Sequence, residues 1–264
     1  MTLPGTLLAQ LRATPPLVQC ITNYVAMNIA ANVMLAAGAS PAMVHAAEEA
    51  GELAGLAAAL TVNIGTLSPH WLAGMRLAAV AAHEKRAPWV LDPVAHFATG
   101  FRRAAVAELL ALRPTIIRAN ASEIIALGGG ESAGQGVDSR DPVEQAEAAA
   151  LALAGKYAAV VAVTGAVDFV TDGRQSVRIA GGSPLMPKVT ALGCALTCLV
   201  GAFAAVAPRE PLAAAVAALA CFAVAGEAAA RDAQGPGSFS WRFLDALAAL
   251  DAATLDAKAK VVPA

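Results

Sequence analysis

Charge is scarce in this 264-residue chain: Asp, Glu, Lys and Arg together make up 14% of it. The two signs nearly cancel, leaving a formal net charge of -2 and a pI near 6.1. There is no run of like charges and no basic stripe, so nothing favours nucleic acid or an anionic membrane surface as a partner. Cysteine is sparse too. Cys20, Cys194, Cys198 and Cys221 form no CxxC pair and no Cys/His metal spacing, which argues against a disulfide framework and for a reducing, cytoplasmic setting. The opening "MTLPGTLLAQLRATPP" lacks a basic stretch followed by an apolar one, so no signal peptide is expected. His45, His70, His83 and His96 are scattered, and none is assigned a catalytic role.

Apolar residues are abundant instead: 58% of the chain, with a mean hydropathy of +0.60. Two stretches, Val189 to Pro208 and Pro211 to Gly226, carry no charge. Uncharged runs of this order are membrane-span candidates. Both are alanine-rich, however, and lack aromatic belts and flanking lysine clusters. They are expected to be buried core helices. The length suits one α/β domain with a full core, spanning residues 1–264.

Short β-rich runs alternate with long alanine-rich helical ones. "LVQCITN", "PAMVH", "LTVNIG", "PWVLDPV", "TIIRAN" and "AAVVAVTG" read as strands. Helical patterns lie between them, and "VDFVTDGRQSVRIAG" reads as a hairpin turning at Asp172-Gly173, followed by three helices. This alternation predicts a three-layer α/β/α fold whose mainly parallel sheet is covered on both faces. In such sheets, sites gather at the carboxyl ends of the strands. The polar residues there are Asn23, Asn28, Asn63, Asp92, Arg118, Asn120, Glu123, Thr164 and the Gly193-Cys194 turn. The set has only two carboxylates and no histidine, which suits ligand positioning better than acid/base hydrolysis.

"KVTALGCALTCLVGAF" puts a tight turn at Gly193 immediately before a helical pattern. Backbone N–H groups at a helix start bind anions such as phosphate. The same field is expected to lower the pKa of Cys194; the alternative is that Cys194 is a small buried hydrophobe. Cys198, one turn on, reads as core. In "RANASEI", Asn120 and Glu123 fit a capping box; alternatively Arg118 meets a nucleotide phosphate and Glu123 lies near Mg²⁺. Asp92 reads either as a turn residue before Pro93 or as a site carboxylate. Thr164-Gly165 suits phosphate contact or a simple turn.

Taken in order, "CITNYVAMNIAANVMLAAGASPAM", "NIGTL", "LDPV", "FR", "IIRANASEI", "GVDS", "VTGAVD", "KVTALGC" and "QGPGSF" resemble the hydroxyethylthiazole kinases, ribokinase-like enzymes of thiamine salvage. The resemblance runs from about Leu17 to Leu250. It implies ATP as phosphoryl donor, Mg²⁺, a thiazole alcohol as acceptor and a homotrimer with sites between subunits. It implies that Cys194 is catalytic; that Arg118, Thr164, Gly193 and Asn120 meet ATP or its phosphates; and that Asp92 and Glu123 lie at the metal. Asn23, Val25, Met43 and Ala191 would border the acceptor, with Met43 reaching a neighbouring subunit's site. Ala191, Leu192, Ala119 and the Ala95-His96-Phe97 stretch depart from the family's small residues, and Tyr24 stands where a second asparagine is common. Ala191 and Leu192 are expected to keep φ < 0, their cost falling as bulk on the acceptor. These departures leave open a related kinase for another small heterocyclic or sugar alcohol, and a nucleotide-binding relative without transfer activity.

Overall fold

The computed structural model describes residues 1–131 and 141–264. Among these, nine strands form one sheet in the order β2-β1-β3-β4-β5-β6-β7-β8-β9. Strands β1 (Leu17–Ile21), β2 (Ser40–Ala42), β3 (Ala59–Asn63), β4 (Trp89–Asp92), β5 (Ile116–Asn120) and β6 (Val160–Thr164) run parallel. Strands β7 (Val167–Thr171), β8 (Ser176–Ala180) and β9 (Lys260–Pro263) extend the sheet antiparallel. The hairpin turns where expected, with Gly173 at φ 86°.

Side chains alternate across the sheet. In β3, Leu60 and Val62 face α3 (Ala50–Leu56), α4 (Pro69–Lys85), α5 (Gly100–Ala111), α6 (Ala121–Leu127) and α7 (Val143–Tyr157). Ala59, with Val18, Val90 and Ile116, faces the other layer: α1 (Pro4–Ala13), α2 (Met27–Ala37), α8 (Leu192–Val206), α9 (Pro211–Ala230) and α10 (Pro236–Ala249). The two uncharged runs form α8 and α9. Helix α9 is long and apolar enough to cross a membrane, yet 89% of its apolar window is buried inside the protein. Glycine allows the close layer contact: a Cβ on Gly201 of α8 would stand 2.3 Å from Thr61 Cγ2 on β3.

Parallel register sets the strand ends side by side. Asn63 pairs with Asp92, and Asn120 with Thr164. The polar residues that follow each apolar run therefore converge on one rim of the sheet.

Three features differ from the sequence expectation. The N-terminal segment forms helix α1, which has no side-chain cap. Its anchors are distant in sequence: the Gly5 N–H donates to Asp256 Oδ1 at 2.7 Å, and Arg12 donates to the Leu247 and Leu250 carbonyls. Four helices, not three, follow the hairpin, because Asp251 caps a short α11 (Ala252–Lys258) and the chain then returns as edge strand β9. Helix α3 is shorter than its alanine-rich pattern, starting only at Ala50. The "GVDS" segment lies outside the described residues.

Candidate active site

Asp92 ends β4 at 1% exposure. Its Oδ2 accepts hydrogen bonds from Asn63 Nδ2 and Thr197 Oγ1, each at 2.7 Å, and lies 3.5 Å from Arg118 Nη1. Its Oδ1 is buried and has no partner among the described residues. Burial pushes the Asp92 carboxyl above its usual range, with Arg118, Thr197 and Asn63 pulling the other way.

Arg118 points off β5 and is 8% exposed. Its Nη2 donates to Thr164 Oγ1 at 2.5 Å, while its Nε is buried without a partner among the described residues. The Nη edge of the guanidinium abuts the α8 turn, where a Cβ on Gly193 would be 3.2 Å from both Nη atoms. A fixed cation and a helix N-terminus thus face the same spot, a charge arrangement suited to phosphate. Thr164 also donates to the Ala119 carbonyl at 3.3 Å, which ties β6 to β5.

Cys194 lies in the first turn of α8 and is half-buried. Asn23 Nδ2 donates to its Sγ at 3.3 Å and to Asn63 Oδ1 at 2.9 Å. Asn23 Oδ1 accepts the N–H groups of Val25 and Ala26. The site residues therefore form one network, Cys194–Asn23–Asn63–Asp92–Arg118–Thr164. Gly65 is a condition of it, since a Cβ there would stand 2.6 Å from Asn23 Nδ2.

The helix start does not make Cys194 acidic. Burial raises its pKa, the Asp92 charge raises it further, and together they push the thiol up to about 12. The expected lowering is overturned because desolvation and the nearby Asp92 charge outweigh the bond from Asn23, the Arg118 charge and the bond from Asn63. Ala191 also departs from expectation. It adopts φ 61°, ψ 10° as the residue before α8, where φ < 0 was expected. The turn needs a left-handed residue there, and the chain meets that need with alanine. Ala95, after β4, is likewise left-handed at φ 47°.

Asn120 and Glu123 form the capping box of α6. Glu123 Oε2 accepts the Asn120 N–H at 3.0 Å, and Oε1 accepts the Ala95 N–H at 2.9 Å. Burial first, and then the Asp92 charge, lift the Glu123 carboxyl to about 7. Met43 is half-buried against the α1/α2/α8/α9 layer, and Val25 is 57% exposed beside Asn23. Among the described residues no cluster of three or more His, Cys, Asp or Glu side chains could hold a metal. Magnesium needs less than that, since it is commonly bound by one or two carboxylates plus substrate phosphates. The bare Oδ1 of Asp92 fits that requirement.

Several contributors have roles that the sequence reading did not assign, although Arg102 and Asp168 stand in the quoted "FR" and "VTGAVD" stretches. Thr197 sits inside an apolar helical run, and its tie to β4 has no local signature. Arg102 donates from Nη1 to the Ile64 and Val94 carbonyls at 2.7 and 2.8 Å, which holds the loops after β3 and β4 together. Asp168 accepts the Gly165 N–H at 2.9 Å, and burial raises its carboxyl to about 7.

The Hydroxyethylthiazole kinase family model matches residues 8–253. A hydroxyethylthiazole kinase of Rhizobium johnstonii is 75% identical over 260 residues, covering 98% of this chain and 97% of that protein. The solved hydroxyethylthiazole kinase of Pyrococcus horikoshii OT3 superposes with a TM-score of 0.90 at 39% identity, over 99% of this chain and 98% of that one. A Staphylococcus aureus pyridoxal kinase solved with ADP shares the fold, with a TM-score of 0.62 at 15% identity over 81% of this chain and 89% of that one. The ribokinase-like architecture is thus common to both, and with three quarters of its residues shared along nearly its whole length, the chain belongs to the hydroxyethylthiazole kinase family.

Proposed function

We propose that the protein transfers the γ-phosphoryl group of ATP to the hydroxyl of 4-methyl-5-(2-hydroxyethyl)thiazole, as a cytoplasmic enzyme of thiamine salvage. One observation carries the reading. A buried cation, Arg118, and a buried carboxylate, Asp92, meet on one network directly beside the N-terminal turn of α8 at Gly193. That is the pairing of charges that an anionic phosphate chain and its cation require.

Phosphoryl transfer has a loose transition state, so most catalysis is positioning and charge stabilisation. Arg118, held by Thr164, and the N–H groups of the Gly193 turn would face the phosphates. Asn120 belongs to the same rim, as the register partner of Thr164. Asp92 would hold Mg²⁺, with Glu123 acting through water because both its oxygens already take backbone N–H groups. When bound, Mg²⁺ supplies charge neutralisation for the phosphates. Cys194 would touch the acceptor alcohol as a neutral thiol and orient it. A thiol that keeps its proton to about pH 12 is no base at rest, so the alcohol proton would leave late, onto an oxygen of the arriving phosphoryl group.

Asn23, Val25, Ala191 and Met43 would border the acceptor. Tyr24 and Val25 are 66% and 57% exposed, large apolar surfaces that a second copy of the chain would cover. We infer a homotrimer with Met43 serving a neighbour's site; light scattering of a stable monomer at micromolar concentration would remove that assignment.

The deciding assay combines enzyme, ATP, Mg²⁺ and the thiazole alcohol, with hydroxymethylpyrimidine in a parallel reaction. The expected outcome is the thiazole phosphate ester by mass spectrometry with equimolar ADP. Turnover of the pyrimidine alone would reassign the acceptor. Nucleotide binding without any transfer would make the protein a non-catalytic relative.

A further inference from the structure

Helix α8 carries a second polar side chain into the network, one turn beyond Cys194. Thr197 is fully buried among apolar neighbours. A threonine within a helix commonly turns its hydroxyl back onto the carbonyl four residues earlier. Here that carbonyl, Gly193 O, is 3.5 Å away, whereas Asp92 Oδ2 is at 2.7 Å. The hydroxyl therefore points across the layer to the sheet and gives its one proton to a carboxylate.

The distribution of bonds on Asp92 is uneven. Asn63 and Thr197 both donate to Oδ2 at 2.7 Å, and the Arg118 contact falls on the same atom. Among the described residues nothing donates to Oδ1. Two short charge-assisted bonds, one from β3 and one from α8, hold Oδ2 in place. Because Thr197 sits on the helix whose first turn carries Gly193 and Cys194, its bond also sets the spacing between that turn and β4.

We propose that Thr197 is a positioning residue for phosphoryl transfer: it holds Asp92 through Oδ2 so that Oδ1 is presented to the cation of the metal–nucleotide complex. The proposal rests on the reading of Asp92 as the cation-bearing carboxylate. Residues behind a metal ligand commonly change metal affinity by about 10- to 100-fold when altered.

The test compares the wild type with Thr197→Val, which keeps the volume and loses the donor, and Thr197→Ser, which keeps the donor. Thr197→Ala replaces the valine variant should the latter fail to fold. Three quantities are read: kcat, the half-saturating Mg²⁺ concentration, and the affinity of the protein–ADP complex for Mn²⁺ by water-proton relaxation enhancement. The valine variant should lose about 30-fold in kcat, and both its Mg²⁺ requirement and its Mn²⁺ dissociation constant should rise about 10-fold. Its KM for the alcohol should stay within about threefold, and serine should restore all values to within about threefold of wild type. Unchanged Mn²⁺ affinity in Thr197→Val overturns the proposal, as does a serine variant impaired as much as valine, since packing of the methyl group would then explain the loss. A wild type that fails to phosphorylate the thiazole instead overturns the acceptor assignment. The Mn²⁺ measurement needs no acceptor and still decides the role of Thr197.

Discussion

Asp92 and Glu123 are both buried carboxylates at the carboxyl rim of the sheet, and the protein treats them in opposite ways. Asp92 is held by side chains on one oxygen, and its other oxygen is left bare. Glu123 is held by backbone N–H groups, one on each oxygen, from the loop after β4 and from the start of α6. The first arrangement leaves an oxygen available; the second uses both carboxyl oxygens to shape a loop. Two acids in one site thus come to differ in function because their donors differ, and burial raises the pKa of both.

Amide substitutions sharpen this contrast most. In Asp92→Asn the carbonyl oxygen can take the place of Oδ2 and keep the bonds from Asn63 and Thr197. The amino group then takes the place of the bare oxygen and turns an acceptor into a donor. The expected result is a loss of about 10³ in kcat, the scale of removing a charge-stabilising group from a transition state, with a folded protein. Glu123→Gln meets one of its two N–H partners with an amino group instead. It should lose only about 10-fold in kcat but unfold more easily by roughly 1–3 kcal/mol, the cost of an unsatisfied buried donor. Steady-state kinetics alongside urea unfolding checks both, and equal kinetic losses from the two variants would erase the distinction.

The same comparison has a pH signature. In the folded protein Glu123 keeps its proton up to about 7, against 4.5 ordinarily. Between those values the unfolded chain has released a proton that the native state still holds. This contribution to stability is therefore present below about pH 4.5 and is lost as the pH rises through 7. For one such group it amounts to at most ~3 kcal/mol. Asp168, also lifted to about 7 by burial, acts in the same direction. Urea midpoints of the ligand-free protein should fall from pH 5 to pH 8, and the fall should be shallower in Glu123→Gln. A stability that climbs over this range would contradict the charge assignment.

Cys194 and Cys198 extend the contrast to a single helix. Cys198 is fully buried, with Thr61 Oγ1 3.6 Å from its sulfur, whereas Cys194 meets Asn23 at the rim. Cys194→Ala should lower kcat by about 10- to 100-fold, below the effect of Asp92→Asn. Because the thiol orients the alcohol and is no base at rest, Cys194→Ser should recover most of that loss. A serine variant as slow as alanine, with a kcat that rises with pH in the wild type alone, would restore the thiolate as base.

The rim itself was legible in the sequence. Parallel strands from β-rich runs, ended by Asn23, Asp92, Arg118, Asn120 and Thr164, follow from alternation and the carboxyl-end rule, and register brings those ends together. Cys194 was found for its place at a helix start, and the acidity inferred from that place was wrong. Position in the chain reports the helix field, while desolvation and the approach of Asp92 are set by tertiary packing. The roles of Thr197 and Arg102 were missed for the same reason. Each makes its decisive bond to a residue 38 or more positions away or to a neighbouring strand loop, where no local spacing rule reaches. Helix α1 was missed because its anchors, Asp256 and the Leu247 and Leu250 carbonyls, lie at the other end of the chain.

The smallest expected effect lies in the turn between these regions. Ala191 holds φ 61° immediately before α8. A residue with a Cβ pays roughly 1–2 kcal/mol for left-handed backbone, and glycine does not. Glycine also serves slightly better than alanine at a helix N-cap. Against this, glycine adds unfolded-state entropy worth about 0.4–1 kcal/mol. The balance for Ala191→Gly is a stabilisation of about 1 kcal/mol or less, read as a higher urea midpoint at unchanged m-value. The backbone N–H groups of Gly193 and Cys194 keep their direction, since the turn already has the conformation glycine prefers. The KM for ATP should therefore stay within about threefold. The same substitution removes a methyl group from the edge of the proposed acceptor pocket, so the KM for the thiazole should move more than that for ATP. If the midpoint falls while the KM for ATP shifts several-fold, alanine at φ 61° was holding the anion-binding turn in shape, and the strain belongs to the phosphate site instead of to the acceptor.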